Sequence, residues 1–205
     1  MSAEVRRIVV PDDAEFAVSS DHHFNHKRII EFSNRPFSSL WFMNDEMVRR
    51  HNAVVAHDDY FFALGDLALG DFEEALSFAS RLNGIKYLKP GNHDRTSRAF
   101  NHGRDIDRYR HRYEDAGFVV LTDDPVEVAH RGVVFEISHY PYVGDHTEKD
   151  RHMALRPADR GLPLVHGHIH QTRRIENQMF NVGVDVNDFT PVTGAEVREF
   201  VQSWR

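Results

Sequence analysis

The sequence predicts an α/β fold in a single domain that spans residues 1–205. Three observations support this prediction. Short apolar runs of strand length alternate with helical patterns from one end of the chain to the other. Several of these runs stop at clusters of polar residues, as strands that deliver side chains to a site do. No linker, internal repeat or low-complexity tract divides the chain, and 205 residues suffice for one well-buried core.

The predicted strands are short runs rich in β-branched and aromatic residues. Five of them end where a polar cluster begins, and they cover residues 16–19, 61–64, 86–88, 133–137 and 162–165. Two further runs of strand character cover residues 126–129 and 179–184. Strand signals are therefore denser in the second half of the chain.

Four helices are predicted between and after the strands. The apolar residues of 40–56 keep to one helical face. Asp71 and Glu74 match a capping box that opens a second helix, which Gly84 would end. The remaining two helices cover residues 105–116 and the segment that follows Thr193 as far as Ser203.

Five polar clusters carry the chemistry. They contain carboxylate, imidazole and amide side chains, which are good ligands for divalent transition metals. In chain order they are Asp21-His22-His23, Gly65-Asp66, Gly91-Asn92-His93-Asp94, Ser138-His139 and His166-Gly167-His168-Ile169-His170. Because ligands of open α/β sheets bind beyond the carboxyl ends of strands, we expect these clusters to converge.

Two clusters place their side chains at alternate positions. If the backbone is extended there, Asp21 and His23 point to the same side, as do His166, His168 and His170. Taken singly, each cluster also fits a simpler interpretation. Asp and His are common in turns, and a histidine-rich segment can be a solvated loop. Five such clusters in this order favour a shared metal site.

The other clusters suggest separate tasks. Asp66 could bridge two cations, and Asn92 offers a neutral oxygen ligand. His93 offers a proton donor beside Asn92, and Asp94 could orient His93 through a hydrogen bond. His139 ends an apolar strand, where a histidine can be either structural or a ligand.

The ordered set of clusters resembles the calcineurin-like metallophosphoesterase superfamily, and it spans most of the chain. The resemblance implies a four-layer αββα sandwich with two mixed β-sheets flanked by helices. It implies that the first metal is bound by Asp21, His23, Asp66 and His170, and the second by Asp66, Asn92, His139 and His168. It also implies that His93 contacts phosphate and assists the leaving group. His22 replaces a residue that is often smaller or apolar in the family.

The segment 24–37 is similar to a subgroup of small bacterial and phage phosphoesterases, for which the resemblance implies no particular substrate. The mixed oxygen and nitrogen ligand set suits two divalent ions of manganese, iron or zinc. The expected reaction is hydrolysis of a phosphodiester or phosphomonoester, nucleotide-like, by in-line attack of a metal-bridging hydroxide. His93 would protonate the leaving alkoxide.

Composition narrows the possible partners and location. A net charge of −7 argues against long nucleic acid as a partner, although bound cations would offset part of that charge. The absence of cysteine excludes disulfides and thiolate ligands. No apolar run reaches the length of a membrane span, and residues 1–15 do not match a signal peptide. We therefore expect a cytoplasmic protein that acts on a small phosphate ester.

The sequence allows alternatives for the function and for two groups of residues. A nuclease acting on short single strands is the alternative within the same chemistry, and a non-catalytic metal-binding scaffold is the alternative of another class. The six arginines of 95–112 are either a solvated helix face or a basic rim, to which Arg35, Arg173 and Arg174 could add. We expect Phe37, Trp41 and Phe42 to be core residues rather than a stacking platform.

Overall fold

The computed structural model describes residues 5–145, 147, 149 and 151–204. Strands within these residues form two mixed sheets. In chain order they are β1 (Arg6–Val9), β2 (Phe16–Ser19), β3 (Tyr60–Ala63), β4 (Ile85–Leu88), β5 (Phe118–Val120), β6 (Val126–His130), β7 (Val133–Ile137), β8 (Leu164–His166), β9 (Ile175–Glu176), β10 (Met179–Asn181) and β11 (Val192–Thr193).

Helices connect the strands. They are α1 (Ile29–Phe32), α2 (Leu40–Val54), α3 (Phe72–Ser80), α4 (Ile106–Asp115) and α5 (Gly194–Gln202). Short 3-10 turns cover Phe100–Gly103, Met153–Leu155 and Val184–Val186. Among the described residues, no helix combines the length and the hydrophobicity that crossing a bilayer requires.

The two sheets have different connectivity. The five-stranded sheet has the order β11-β2-β3-β4-β5. Its neighbouring strands pair in parallel, except that β11 is antiparallel to β2. The six-stranded sheet has the order β1-β6-β7-β8-β10-β9 and contains antiparallel pairs at β6–β7 and β9–β10. The carboxyl ends of β2, β3 and β4 therefore lie side by side at one edge, as do those of β7 and β8.

Alternation along the strands builds one core on each face of the five-stranded sheet. In β3, the side chain of Phe62 packs with Val128 and Phe135 of the six-stranded sheet. Its neighbour Phe61 belongs to the core beneath the helices, with Met47 of α2 among its members. Each of these fully buried side chains contributes on the order of 2 kcal/mol of hydrophobic stabilisation. The prediction of an α/β fold with two mixed sheets flanked by helices is confirmed.

Helix boundaries follow the sequence signals with two differences. The Oδ1 atom of Asp71 accepts a hydrogen bond from the Glu74 backbone N–H and so caps α3. The Glu74 carboxylate accepts from Asn25 Nδ2 at 2.9 Å, so the predicted capping box is only half present. The second difference is that α3 ends at Ser80, before Gly84.

The expectation that Trp41 and Phe42 are core residues is wrong. These side chains are 62% and 46% exposed, whereas Phe37 is buried. The reason is that α2 buries the face that carries Met43 and Met47, and this leaves the first turn of the helix partly open to solvent.

Candidate metal centre

Loops from both sheets meet where the strands end. The loop after β2 runs beside the loop after β3, because the backbone N–H of Asp21 donates to Gly65 O and that of His23 donates to Asp66 O. The loop after β8 joins them through the His168 backbone N–H, which donates to Asp21 Oδ2 at 2.9 Å. Both sheets therefore supply side chains to one site.

Most of the predicted ligands occupy left-handed backbone positions. Asp21, His23, Asp66, His168 and His170 have φ values between 45° and 73°. The condition of extended backbone is therefore not met at Asp21, His23, His168 and His170, although His166 lies in β8. Non-glycine residues in this region cost roughly 1–3 kcal/mol each and cluster at functional sites. Here the tight turns bring side chains from different strands to one point.

One group of side chains surrounds the first candidate metal position. Ligand atoms of Asp21, His23 and His170 lie within 4.8 Å of one another. Asp21 Oδ1 and both ring nitrogens of His23 are buried and have no hydrogen-bond partner among the residues that the structure describes. Buried polar atoms without partners are costly in a folded protein, and a bound cation would satisfy these. This group fits a metal ion.

A second group of candidate ligand side chains lies on the other side of Asp66. The Nε2 atom of His139 is 3.1 Å from Asn92 Oδ1, 3.2 Å from His168 Nδ1 and 3.7 Å from Asp66 Oδ1. The other carboxylate oxygen, Asp66 Oδ2, is 3.6 Å from His23 Nε2. Asp66 therefore has one oxygen toward each group, and all seven predicted ligands lie together.

The hydrogen bonds of the imidazoles indicate where their protons lie. His139 Nδ1 is 2.8 Å from Leu64 O, a carbonyl that can only accept, so Nδ1 carries the proton. His168 Nε2 is 3.3 Å from Asp145 Oδ2 and carries the proton for the same reason. Lone pairs on His139 Nε2, His168 Nδ1 and Asn92 Oδ1 therefore face one another. Three electron-pair donors in contact form a candidate cation site.

Burial keeps the imidazoles of His23 and His168 neutral. Burial, and then the positive charges around His170 and Arg35, lower the pKa of His23 well below its usual value. Burial and the neighbouring His139 lower the pKa of His168 to about 2. Neutral imidazole is the form that binds metals, so both side chains are competent ligands near neutral pH.

Glycines allow the loops to approach the carboxylates. A Cβ atom on Gly167 would lie 2.5 Å from Asp21 Oδ2, and one on Gly91 would lie 2.6 Å from Asp66 N. Cβ atoms in proteins essentially never come this close to other atoms, so any side chain here would displace a predicted ligand or its loop. The predicted glycines thus have a steric role.

His93 lies at the mouth of the site. Its side chain is 48% exposed, and Nε2 is 4.0 Å from Asp66 Oδ2. Its backbone N–H donates to Asp66 Oδ1 at 2.9 Å, which links its position to the centre of the site. A cleft of about 460 Å³ opens here and is lined by His26, Ile29, Phe32, His93, Arg151 and Thr172, among others.

The predicted role of Asp94 is wrong. Its carboxylate is fully buried and accepts hydrogen bonds from the backbone N–H groups of Asp66, Leu67 and Gly91 and from the Tyr113 hydroxyl. Asp94 therefore holds together the two loops that carry Asp66 and Asn92, instead of orienting His93. The carboxylate turns inward because these loop N–H groups are buried and need an acceptor.

The arginine-rich segment makes contacts within the protein. Arg95 stacks over Phe72 and Tyr109, Arg98 pairs with Asp123, and Arg110 donates to Val120 O. These contacts argue against a basic rim. Of the three residues only Arg110 lies on a helix, so the interpretation as a solvated helix face does not fit Arg95 and Arg98.

Arg35 was also a candidate for the basic rim, and this prediction is wrong. It is buried, and it pairs with Asp185.

Three residues that contribute to the site were not predicted from the sequence. Asp185 contacts His170, Asp145 contacts His168, and His26 lines the cleft with its ring 5.4 Å from that of His23. No local pattern marks the two aspartates, because their importance depends on which histidine lies opposite. The position of His26 only three residues after His23 was the available signal.

The fold and site define a two-sheet α/β protein with candidate metal-binding groups at the joined strand ends. The chain belongs to the family of the mycobacteriophage gene 66 proteins. It is 32% identical to the gene 66 protein of Mycobacterium phage L5 over 185 residues, which cover 82% of this chain and 84% of that protein. It is also 32% identical to the gene 66 protein of Mycobacterium phage D29 over 204 residues, covering 89% and 94%.

A crystal structure supports the fold. The protein of unknown function AQ665 from Aquifex aeolicus superposes with a TM-score of 0.70 at 24% identity, covering 92% of this chain and all of that one. No protein-family model matches the sequence.

Proposed function

We propose that this protein is a dinuclear metal-dependent phosphoesterase that hydrolyses a small, nucleotide-like phosphate ester. The observation that supports this proposal most directly is that two groups of candidate metal ligands lie on either side of Asp66. In the proposal, Asp21, His23, Asp66 and His170 bind the first metal. Asp66, Asn92, His139 and His168 bind the second.

Two divalent cations in these positions would neutralise charge on the phosphoryl oxygens and provide an activated water near neutral pH. The mixture of imidazole, carboxylate and amide ligands suits manganese, iron or zinc. Among the chain's own groups, Asp66 spans the two positions because each of its oxygens faces one of them.

His93 is the proposed proton donor to the leaving group. It is the half-exposed imidazole at the mouth of the cleft, so it can reach the ester without acting as a ligand. Its backbone hydrogen bond to Asp66 keeps it at a constant distance from the centre. Such general acid catalysis contributes roughly 10²- to 10⁴-fold to the rate.

The cleft walls support a small organic ester as substrate. Ile29, Phe32 and Leu69 line the cleft with apolar surface, while Arg151 and Thr172 add polar groups. A volume of about 460 Å³ lies within the range for small-molecule sites. Apolar surface suits the organic part of the ester, and a guanidinium suits a phosphate oxygen.

A nuclease on short single strands is the second candidate. The Phe32 ring is 59% exposed beside the cleft, and the Arg28 guanidinium lies 4.5 Å from its centroid. An exposed aromatic ring next to a cation is a feature that single-strand binding also uses. Cleavage of oligonucleotides that weakens steeply with added salt would favour this candidate.

The test is manganese-dependent hydrolysis of aryl phosphate mono- and diesters. Wild type should hydrolyse at least one class and lose activity with chelator. Metal loading and activity should fall in Asp66→Asn and in His168→Ala, which keeps the ligands of the first position, whereas His93→Ala should keep its metal and lose rate. Full activity in Asp66→Asn would contradict the proposal. Metal binding without turnover on any ester or oligonucleotide would indicate a non-catalytic scaffold instead.

A further inference from the structure

We infer that the buried Arg35–Asp185 pair is a positioning device for the first metal position, holding Asp21 and His170 in ligand geometry. The inference rests on the proposed metal centre and adds two residues that are not ligands themselves. It assigns a function to an ion pair that lies at the back of the site, away from the cleft mouth.

The pair has the geometry of a bidentate salt bridge. Arg35 Nε is 2.8 Å from Asp185 Oδ1, and Arg35 Nη2 is 3.0 Å from Asp185 Oδ2. The two side chains are 0% and 1% exposed. A buried pair of charges contributes little net stability, because desolvation offsets most of the attraction. Its retention in this place therefore calls for a local explanation.

One side of the pair holds the loop that carries Asp21. Arg35 Nη2 donates to Asp21 O at 2.7 Å, and Nη1 donates to His22 O at 2.8 Å. Asp21 and His23 both have left-handed backbone. Two hydrogen bonds from one planar guanidinium oppose the relaxation of this strained turn, because both carbonyls must keep their orientation.

The other side holds the imidazole of His170. Asp185 Oδ2 is 2.9 Å from His170 Nδ1, so Nδ1–H donates to the carboxylate and Nε2 keeps its lone pair. Carboxylates that accept from a metal-binding histidine set its ring orientation and commonly change metal affinity by about 10- to 100-fold. Arg35 completes the arrangement, because it holds the Asp185 carboxylate in place and this carboxylate orients the imidazole of His170.

Asp185 reaches this place through the fold. It lies in the 3-10 turn Val184–Val186, whose Val184 N–H donates to Ser20 O at 3.0 Å, directly before Asp21. The pair therefore joins segment 33–37, the loop after β2 and the turn after β10. His170 and Asp21 follow strands of different sheets, and the pair is a buried contact that touches both.

The experiment is calorimetric titration of the metal-free full chain with Mn²⁺. The His168→Ala background removes a ligand of the second position, so that the remaining binding reports the first. We expect Asp185→Asn and Arg35→Lys in that background to weaken binding by about tenfold or more. When the same substitutions are made with both metal positions intact, the affinity for one Mn²⁺ should fall, and the affinity for the other should change less than about threefold. Cobalt substitution should show an altered visible absorption spectrum in both variants.

Glu136→Gln is the matched control. Glu136 is also buried and pairs with an arginine, since Arg160 Nη2 is 3.0 Å from Glu136 Oε2, and the contacts of this pair include no predicted ligand. It should lower the melting temperature of the apo protein and leave both affinities unchanged.

Unchanged affinities and an unchanged cobalt spectrum in Asp185→Asn, with a melting temperature lowered as in the control, would overturn the inference. If Arg35→Lys does not fold, the isosteric Asp185→Asn decides. A wild type that binds no Mn²⁺, Fe²⁺ or Zn²⁺ would instead overturn the proposed function itself. A wild type that binds two ions but hydrolyses no ester leaves the inference standing, because its readout is binding.

Discussion

The Nε2 atom of His139 lies 3.2 Å from the Nδ1 atom of His168, and the proton of each ring is on its other nitrogen. Two lone pairs in contact repel each other unless a positive charge lies between them. Leu64 O and Asp145 impose this arrangement by accepting the two protons, and a cation at this point would relieve the repulsion, as the proposed function requires.

Metal binding should therefore stabilise the fold. We expect Mn²⁺ at 100 times its dissociation constant to add about 2.7 kcal/mol per occupied position. For a chain of this size, that corresponds to a rise of roughly 5–10 °C in melting temperature. Differential scanning fluorimetry with and without chelator measures it. His168→Ala and Asp66→Asn should show a smaller rise, and an equal rise in all three proteins would contradict the assignment.

The role proposed for His93 predicts a dependence on the leaving group. A proton donor matters most for alkoxides, which are poor leaving groups, and little for nitrophenolate. His93→Ala should thus lower kcat by about 10²- to 10⁴-fold with an alkyl ester and far less with a nitrophenyl ester. Metal content by elemental analysis should stay the same. The matched control is His111→Ala, an exposed histidine of α4 that should change neither rate. Equal losses for both esters would argue against proton donation.

The packing of Gly167 predicts a steric effect on the site. The Cβ atom of Gly167→Ala would overlap Asp21 Oδ2 and Ser20, so the loop after β8 must shift. We expect a loss of about 1–3 kcal/mol in the free energy of unfolding and weakened metal binding. Gly132→Ala is the control, because nothing lies within 4 Å of a Cβ atom there and only its left-handed backbone is strained. That variant should bind Mn²⁺ with wild-type affinity. Wild-type metal affinity in Gly167→Ala would show that the close approach is dispensable.

His51 predicts a loss of stability in mild acid. Burial lowers its pKa to about 4, while its Nε2 hydrogen-bonds to Asn83 O. Between the unfolded value near 6.5 and the folded value, the unfolded chain binds a proton that the folded chain does not. The contribution of His51 to the free energy of unfolding is therefore fully present above about pH 6.5. It falls by about 3 kcal/mol as the pH drops to about 4.

Urea denaturation of the metal-free protein at a series of pH values tests this. His51→Gln keeps a donor for Asn83 O and has no titrating group, so its stability should fall less steeply over the same range. Parallel curves for wild type and His51→Gln would exclude His51 as a source of the pH dependence.

Much of the fold could be predicted from the sequence because its signals are local. Strand β7 matches its predicted run 133–137, and α5 begins at the capping box of Thr193 and Glu196. The polar clusters follow the strands directly, so sheet geometry alone predicted that they converge. The strands β1, β5, β9 and β11 were not predicted, because two to four residues carry little periodicity and none of these strands leads into one of the five polar clusters.

Contacts between distant residues could not be predicted in the same way. Asp94 is next to His93 in sequence, yet its carboxylate accepts from loop N–H groups that only the packing of β3 beside β4 presents. Arg35 has the charge of a rim residue, but it is buried because Asp185, 150 positions away, neutralises it. Trp41 is apolar and still exposed, because α2 turns the face that carries Met43 and Met47 toward the core.

The sequence by itself determined the fold class and the set of candidate metal ligands, since both follow from residue type and local spacing. Only the tertiary structure decided how those side chains meet. Left-handed turns replace the extended segments at Asp21 and His168, and Asp66 turns one oxygen toward each group. Such choices depend on backbone strain and buried hydrogen bonds, which are settled by neighbours far apart in the chain.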